Sequence, residues 1–570
     1  MNLVEKFALQ VDLRPQAAAI IEPARGRDHT AIGVRPSSGA ATSEAGNGSP
    51  CRKASEVLEP AAPEDGRSPL KHCHTTSFAA LDLSSKKIAA LIHNSGIKSG
   101  DVVLLFQPMS ADLYAVLLAL FRLGAVAMFL DPSAGRDHIE HCCEVRRPRA
   151  LIANPKAHLL RLVSSSLRRI PLKFVFGPRL PCTTPLSEAN SLPPMDHLEG
   201  CSSETPALLS FTSGSTGAPK AAVRTHQFLC TQHLLLERHL KLSPGEVDLA
   251  TLPIFLLANL ASGVISVIPD ADLRAPGRIK GEPVLDQIAR HRVTRATASP
   301  AFFERLLDAS REGQPGLRGI TKIYTGGAPV FLRLLDQLCA AAPQAKVEAV
   351  YGSTEAEPIA HLAAREIRRD QRAAMRNGNG LLAGKPIPEI QLRIVQDQWG
   401  KPLGKLSTKD FAALHCATDE PGEIVVTGDH VLKGYLDGRG DEETKFRVAD
   451  AAWHRTGDAG KLDSAGCLWL LGRSSAKVQD ARGLVYPFAV ECVAMENEDI
   501  RRAAFLAQHG KRLLAIETSR AFTNEMQDEL KGNFKWAAID EMRAFKQLPV
   551  DKRHNAKIDY PALIRLLQRE

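Results

Sequence analysis

The sequence predicts an α/β fold with mostly parallel strands, followed by a β-rich subdomain. Three observations carry that expectation. Short apolar runs alternate with helix-periodic stretches through much of the 570 residues. Several of those runs end in small polar residues, where open α/β sheets place ligands. After Glu355 the pattern becomes alternating apolar runs at 390–394 and 422–427.

The elements follow in order. From Ser77, helical periodicity links Leu81, Ile88, Leu91 and Ile92, and a Gly100-Asp101 turn then precedes an apolar strand at 102–106. A helix at 113–123 and a strand at 126–130 come next, ending at Asp131-Pro132. Residues 207–211 read as a strand entering a hydroxyl-rich loop, and 221–223 as the strand leaving it. A strand at 320–325 ends in Gly326-Gly327-Ala328-Pro329, with a helix at 331–341 behind it. The strand at 347–350 ends in Tyr351-Gly352-Ser353-Thr354-Glu355. Residues 22–71 are rich in Ala, Pro, Ser, Gly and charge. Such a stretch cannot bury enough surface to offset its ordering entropy and is expected to be a disordered insertion. No internal repeat is visible.

Composition excludes several classes. A hydrophobic fraction of 44% with 24% charged residues is that of an ordinary globular protein. The net charge of +8 suits an anionic ligand, but the cations read as scattered, with no basic stripe interleaved with aromatics. Nucleic-acid binding is therefore not expected. The 11 cysteines are irregularly spaced, and His72-Cys73-His74 has no matching second pair, so unpaired thiols in a reducing compartment are expected rather than zinc. The start Met1-Asn-Leu-Val-Glu5 carries an early acid and no long apolar core, unlike a secretory signal. The apolar stretches 113–130 and 250–268 are interrupted by Arg122 and by Pro253, Asn259 and Ser262, so they read as buried core rather than membrane spans. The expected location is the cytoplasm.

The most informative stretch is Phe211-Thr212-Ser213-Gly214-Ser215-Thr216-Gly217-Ala218-Pro219-Lys220. Its glycines let backbone N–H groups approach a polyphosphate, its hydroxyls add donors, and Lys220 supplies a flexible point charge. The spacing does not match a Walker loop. By composition alone the run also suits a flexible turn. Tyr351 to Glu355 offers an aromatic face for a base, small donors for phosphate and a carboxylate for a hard cation. A strand-end turn with a helix-capping Thr354 is the plainer reading. In His454-Arg455-Thr456-Gly457-Asp458, the aspartate has the chemistry to accept from both ribose hydroxyls. Arg473, closing the strand 468–473, can donate to the same sugar or a phosphate. An Asp458–Arg473 surface pair in a hairpin is the alternative. Lys557 lies in a polar loop before a short helix, where a lone lysine is ordinarily a solvated group.

Together these islands resemble, in type and order, the adenylate-forming superfamily of acyl-CoA synthetases, peptide-synthetase adenylation domains and luciferases. The resemblance runs from about Ser77 to Lys557, plus the first twenty residues. It implies a large N-terminal domain (1–472) of α/β subdomains and a β-rich subdomain, and a small mobile α+β C-terminal domain (473–570), with a hinge at Ser475. It implies ATP and Mg²⁺, with residues 212–220 at the triphosphate and Gly327, Ala328, Pro329 and Tyr351 flanking the adenine. Gly352, Ser353, Thr354 and Glu355 fall at the phosphates, Glu355 holding the metal, while Asp458 and Arg473 hold the ribose. Lys557 matches the catalytic lysine, acting with Lys220 and Glu355.

Departures narrow the resemblance. Ala221 replaces the usual glycine after the loop lysine, and Ser475 stands where the hinge usually carries Asp or Lys. The segment from Ser474 to Pro487 lacks the Lys-x-x-Gly strand of many thioester-forming members. That segment, the 351–361 neighbourhood, 245–249, 253–259 and 549–558 look most like the olefin β-lactone synthetases. The resemblance then implies a fatty substrate, a 2-alkyl-3-hydroxy acid, adenylated and closed to a β-lactone without coenzyme A. Other enzymes of an olefin or lipid pathway would be its partners. A fatty acyl-CoA or acyl-carrier ligase and a non-catalytic nucleotide binder are the alternatives. His226 and His454 are the candidate bases for ring closure. The apolar segments 250–268 and 298–307 suit an acyl tunnel or, more simply, core packing.

Overall fold

A computed structural model describes residues 2–24, 73–130, 135–213, 219–310, 316–551 and 556–569. The expected disordered insertion lies outside the described residues except at its first positions. Glu22 and Pro23 correct that boundary: they continue the strand Ala18–Pro23 and pair with His74 and Cys73 of the strand Cys73–Ser77.

Two sheets form the bulk of the chain. In one, the strands Val247–Ala250, Arg295–Ala298, Lys322–Gly326 and Lys346–Ser353 run parallel in that spatial order, with Ile265–Val267 and Ala18–Pro23 on the other side of Val247–Ala250. In the other, Val102–Phe106, Val126–Phe129, Ala150–Ala153 and Leu172–Val175 are parallel. Its edge is the antiparallel hairpin Pro206–Ser213 and Pro219–Thr225.

Helices between the sheets explain the long apolar stretches. Ser110 accepts from the Leu113 N–H and starts the helix Ala111–Arg122, on which every residue but Asp112 is buried. A helix apolar all round belongs inside a large core. The helix Pro253–Ser262 packs on the N-terminal helix Leu3–Leu13, and the Tyr114 hydroxyl donates to the Pro253 carbonyl at 3.0 Å. Leu256, Leu257 and Leu260 of segment 250–268 and Phe302 and Phe303 of segment 298–307 are buried in these cores, which favours the packing reading of both. Among the described residues, no helix is long and apolar enough to cross a membrane.

The first sheet continues through Ala356–Ala363 and Leu381–Pro386 into antiparallel strands, including Gly422–Thr427, Ala451–Leu462 and Leu468–Arg473. No helix follows Thr354; the chain turns back as a hairpin, so the helix-cap reading of that residue fails. Within the strand Leu381–Pro386, at a register shift, Gly384 has φ +85° and an added Cβ would clash with the His361 carbonyl oxygen. After Arg473 comes a short turn, Ser474–Ala476, and then a smaller β-containing domain. Its sheet pairs Ile500–Gln508 with Lys511–Thr518 antiparallel and the latter with Glu541–Phe545 parallel.

Inside this smaller domain Glu491 is fully buried on the helix Pro487–Ala494. It accepts from the Phe505 N–H at 3.1 Å and from the Tyr560 hydroxyl. Burial raises its carboxyl from 4.5 to about 7. Between those values the folded protein holds a proton that the unfolded chain has lost. Stability must therefore fall as pH rises across that window, by about 3 kcal/mol in all. Denaturant unfolding of Glu491→Gln over pH 4.5 to 7 should lack that fall; an identical pH dependence in both proteins would refute the buried neutral acid. Gly384→Ala should lose at least about 2 kcal/mol in the same assay, since both the clash and the left-handed backbone oppose it.

Candidate active site

The site forms where the carboxyl ends of the parallel strands meet the β-rich layer. Gly326 pairs with Val350 across neighbouring strands, so Gly327, Ala328 and Pro329 emerge beside Tyr351. The close approach demands glycine at 326, because a Cβ there would lie 2.4 Å from the Val350 carbonyl oxygen. Within the hydroxyl-rich loop, residues 214–218 and the side chains of Thr212 and Ser213 lie outside the described residues. The backbone pairs Thr212 with Lys220, so the strands that flank the loop are antiparallel partners.

Lys220 is buried and points away from bulk solvent. Its ammonium donates to Glu443 Oε2 at 2.8 Å and to the Gly440 carbonyl at 3.2 Å, and lies 5.5 Å from the Tyr435 ring centroid. A second ammonium, that of Lys445, also lies 5.5 Å from that centroid and donates to the Leu432 carbonyl. The Tyr435 hydroxyl donates to Glu355 Oε1 at 3.0 Å. One aromatic ring thus connects Lys220, Lys445 and the carboxylate expected to meet the metal. Cation–ring attraction strengthens when the pair is desolvated, as here.

The electrostatics follow from burial. Burial opposes ionisation of Glu355, but positive charge at His454 and Lys445 and the Tyr435 hydroxyl outweigh it and hold its carboxyl below the ordinary value. Burial, with Lys445 adding to it, pushes His454 down to about 3, so at neutral pH Lys445 is the cation that remains. Lys445 is itself lowered by burial to about 8, against the pull of Glu355 and Asp441. His454 Nδ1 stands 3.1 Å from the Thr444 carbonyl, which can only accept, so Nδ1 carries the proton of the neutral ring.

The second half of the site is a hairpin. Asp458 pairs with Arg473 in register, Arg473 Nη1 lies 3.4 Å from Asp458 Oδ1, and the Tyr351 hydroxyl donates to Asp458 Oδ2 at 2.8 Å. Arg473 also donates to the Thr456 carbonyl at 3.1 Å. The Asp458 strand is set by a buried pair three residues back along it. Arg455 donates to both carboxylate oxygens of Glu423 at 2.7 and 2.8 Å, and neither side chain is more than 1% exposed. Arg224 ties the Lys220 strand to the other half by donating to the Thr354 carbonyl at 3.1 Å. Ser353 Oγ accepts from the Glu355 N–H at 3.2 Å and fixes the turn. Gly352 fits because a Cβ there would stand 3.1 Å from the Ala356 carbonyl oxygen.

Lys220, Tyr351, Glu355, Asp458 and Arg473 therefore come together, with His454 beside Glu355. His226 does not join them: it is fully buried at the start of the helix His226–His239, edge-on to Phe121 in the core, where burial lowers it to about 4. Lys557 lies in the smaller domain. Its N–H donates to Asp551 Oδ1 at 2.9 Å and its carbonyl accepts from the Asp551 N–H at 2.8 Å, just before the helix Tyr560–Leu567. Tyr435, Glu443 and Lys445 are site residues that the motifs did not announce.

Among the described residues, no three His, Cys, Asp or Glu side chains are grouped to hold a metal ion by themselves. One ionised carboxylate beside a phosphate site is nevertheless the donor set Mg²⁺ uses, because it keeps waters and takes the remaining oxygens from phosphate. The residues present fit that ion. Removing the donor from Glu355 by Tyr435→Phe should raise the Glu355 carboxyl and move the acid limb of the pH–rate profile upward; an unmoved limb would show that another group titrates there. Lys445→Met should lower turnover on the order of ten- to a hundredfold, read as pyrophosphate release, and wild-type turnover would remove Lys445 from the site.

Comparison with known proteins shows the family. The AMP-binding enzyme model matches residues 60–436. The chain is 31% identical over 507 residues to an olefin beta-lactone synthetase of Stenotrophomonas maltophilia, covering 85% of this chain and 90% of that one. It is 29% identical over 511 residues to the olefin beta-lactone synthetase of Xanthomonas campestris pv. campestris, covering 85% and 89%. Among solved structures, an anthranilate CoA ligase in complex with anthranoyl-AMP superposes with a TM-score of 0.77 at 15% identity, covering 100% of this chain and 98% of that one, which is a likeness of fold. The chain belongs to the AMP-binding enzyme family and is an adenylate-forming, AMP-forming ligase.

Proposed function

We propose that the chain adenylates a long 2-alkyl-3-hydroxy carboxylic acid and closes the product to a β-lactone. The observation that carries the reading is the paired arrangement of Lys220 and Lys445 about Tyr435, with Glu355 ionised on its hydroxyl. The likeness to two olefin beta-lactone synthetases over 85% of the chain supports the second step.

In the first step a substrate carboxylate oxygen bonds to the α-phosphorus of ATP and pyrophosphate leaves. Two anions must meet, so preorganised positive charge is the main requirement; each donor of this kind is typically worth on the order of 3 kcal/mol. Lys220 serves the triphosphate, together with residues 212–217. Gly327, Ala328, Pro329 and Tyr351 flank the base, Gly352 to Thr354 meet the phosphates, and Asp458 accepts from the ribose while Arg473 steadies it. Mg²⁺, held by Glu355, would offset charge on the phosphate oxygens. Lys557 would enter as the smaller domain, residues 473–570, rotates about Ser475 against 1–472. In the second step the substrate's own 3-hydroxyl oxygen bonds to the acyl carbon, AMP leaves, and the hydroxyl proton passes out. Proximity makes this intramolecular attack fast, and the mixed anhydride drives closure of the strained ring. Neither candidate histidine suits that transfer: burial pushes His454 down to about 3, where it holds a proton poorly at neutral pH, and His226 lies in the core. A cytoplasmic setting and a place among enzymes of an olefin or lipid pathway belong to the same proposal.

The test is incubation with ATP, Mg²⁺ and such an acid, with and without coenzyme A, followed by mass analysis. A product lighter than the acid by one water and independent of coenzyme A is expected. A product that forms only with coenzyme A would make this an acyl-CoA ligase and overturn the lactone reading. Lys557→Ala should cut pyrophosphate release at least a hundredfold, roughly the value of one such donor, while ATP still binds. Unchanged release would remove Lys557 from the first step.

A further inference from the structure

The chain's excess of positive charge is concentrated in one segment. Between Glu144 and Glu188 the sequence holds no acidic residue but nine basic ones, against a net charge of +8 for all 570 residues. Arg146, Arg147 and Arg149 precede the strand Ala150–Ala153, Arg168, Arg169 and Lys173 lie around the entry to Leu172–Val175, and Lys156, Arg161 and Arg179 lie near the opposite strand ends. These strands, with Thr184–Pro185, are the outer edge of their sheet, away from the Lys220 hairpin.

The same edge carries an apolar ridge. Leu159, which joins the short helices Pro155–His158 and Leu160–Val163, and Leu162 and Val163 on the second of them are 62%, 73% and 55% exposed. Single exposed aliphatics are ordinary, but three within five residues in a basic field are not. The flanking cations are held in place: Arg161 donates through Nη1 and Nη2 to the Pro181 carbonyl at 3.3 Å, and Arg168 donates to the Leu162 carbonyl at 3.0 Å. A carbonyl orients a guanidinium without neutralising it. Arg179 pairs with Glu188 at the border of the segment.

We propose that this edge docks on an anionic lipid bilayer, with Leu159, Leu162 and Val163 entering the headgroup boundary and Lys156, Arg161 and Arg168 beside them meeting lipid phosphates. Apolar side chains rimmed by Lys and Arg are the pattern of interfacial membrane contact, and anionic leaflets attract such clusters within a Debye length. The surface would place the enzyme where a long-chain acid partitions, a consequence that rests on the substrate class proposed above. The docking itself does not depend on it.

The test is co-sedimentation of the full chain with phosphatidylcholine vesicles prepared with and without phosphatidylglycerol. Binding is expected only with the anionic lipid and should fall as salt rises. Leu159→Ser/Leu162→Ser/Val163→Ser, which keeps every charge, and Lys156→Gln/Arg161→Gln, which keeps the ridge, should each reduce the bound fraction about fivefold or more. Pyrophosphate release with a short, water-soluble hydroxy acid should stay unchanged in both. Wild-type binding by the triple serine variant, equal binding to neutral vesicles, or binding to duplex DNA but not to either vesicle would overturn the proposal. Loss of turnover on every acid with vesicle binding intact would instead count against the reaction reading alone.

Discussion

The site depends on one ring. Tyr435 stands between two ammonium groups and donates to a buried carboxylate, so three charges that would otherwise be costly to bury are held in one compensated unit. A buried charge is tolerated only when paired and hydrogen-bonded. Remove the ring and Glu355 loses its donor while both lysines lose a desolvated partner. The segment that presents Tyr435 is anchored at both ends of this unit: the Leu432 N–H donates to the Glu355 carbonyl at 2.7 Å, and Tyr435 bridges to Ala222 on the Lys220 strand.

This arrangement explains how two sheets of different origin serve one chemistry. Lys220 comes from the edge hairpin of the second sheet, Glu355 from the hairpin at the end of the first, and Asp458 and Arg473 from the antiparallel extension. Arg224 and Tyr435 cross the gaps between them. The Arg455–Glu423 pair fixes the strand that carries both His454, beside Glu355, and Asp458, beside Arg473. The basic, apolar edge stands at the far side of the second sheet, so surface attachment and chemistry would not compete for the same residues.

Much of this was legible in order along the chain. The strands ending at Gly326 and at Ser353 follow from apolar runs broken by small residues, and the helices Phe78–Asn94 and Ala111–Arg122 follow from periodicity, while their capping hydroxyls, Ser77 and Ser110, emerged only in the structure. The 113–130 stretch was correctly read as core from the single charge at Arg122, which is buried against Asp82. Other features were hidden because they depend on distant partners. Lys445 looked like any lysine after a run of acids, and Tyr435 like any aromatic after a glycine. The concentration of charge between Glu144 and Glu188 was lost when the cations were judged over the whole chain, although it needed no structure to find.

What the sequence determined by itself was the family, the layering of strands and helices, and the candidate groups of the site. These are local matters: short-range spacing sets period, turns and donor type. Only the tertiary structure decided which of those groups are charged and what holds them so. His226 and His454 are both histidines in promising motifs, yet one is enclosed against Phe121 and the other faces Glu355 and Lys445. Burial and neighbouring charge set ionisation, and both are properties of residues far apart in the chain.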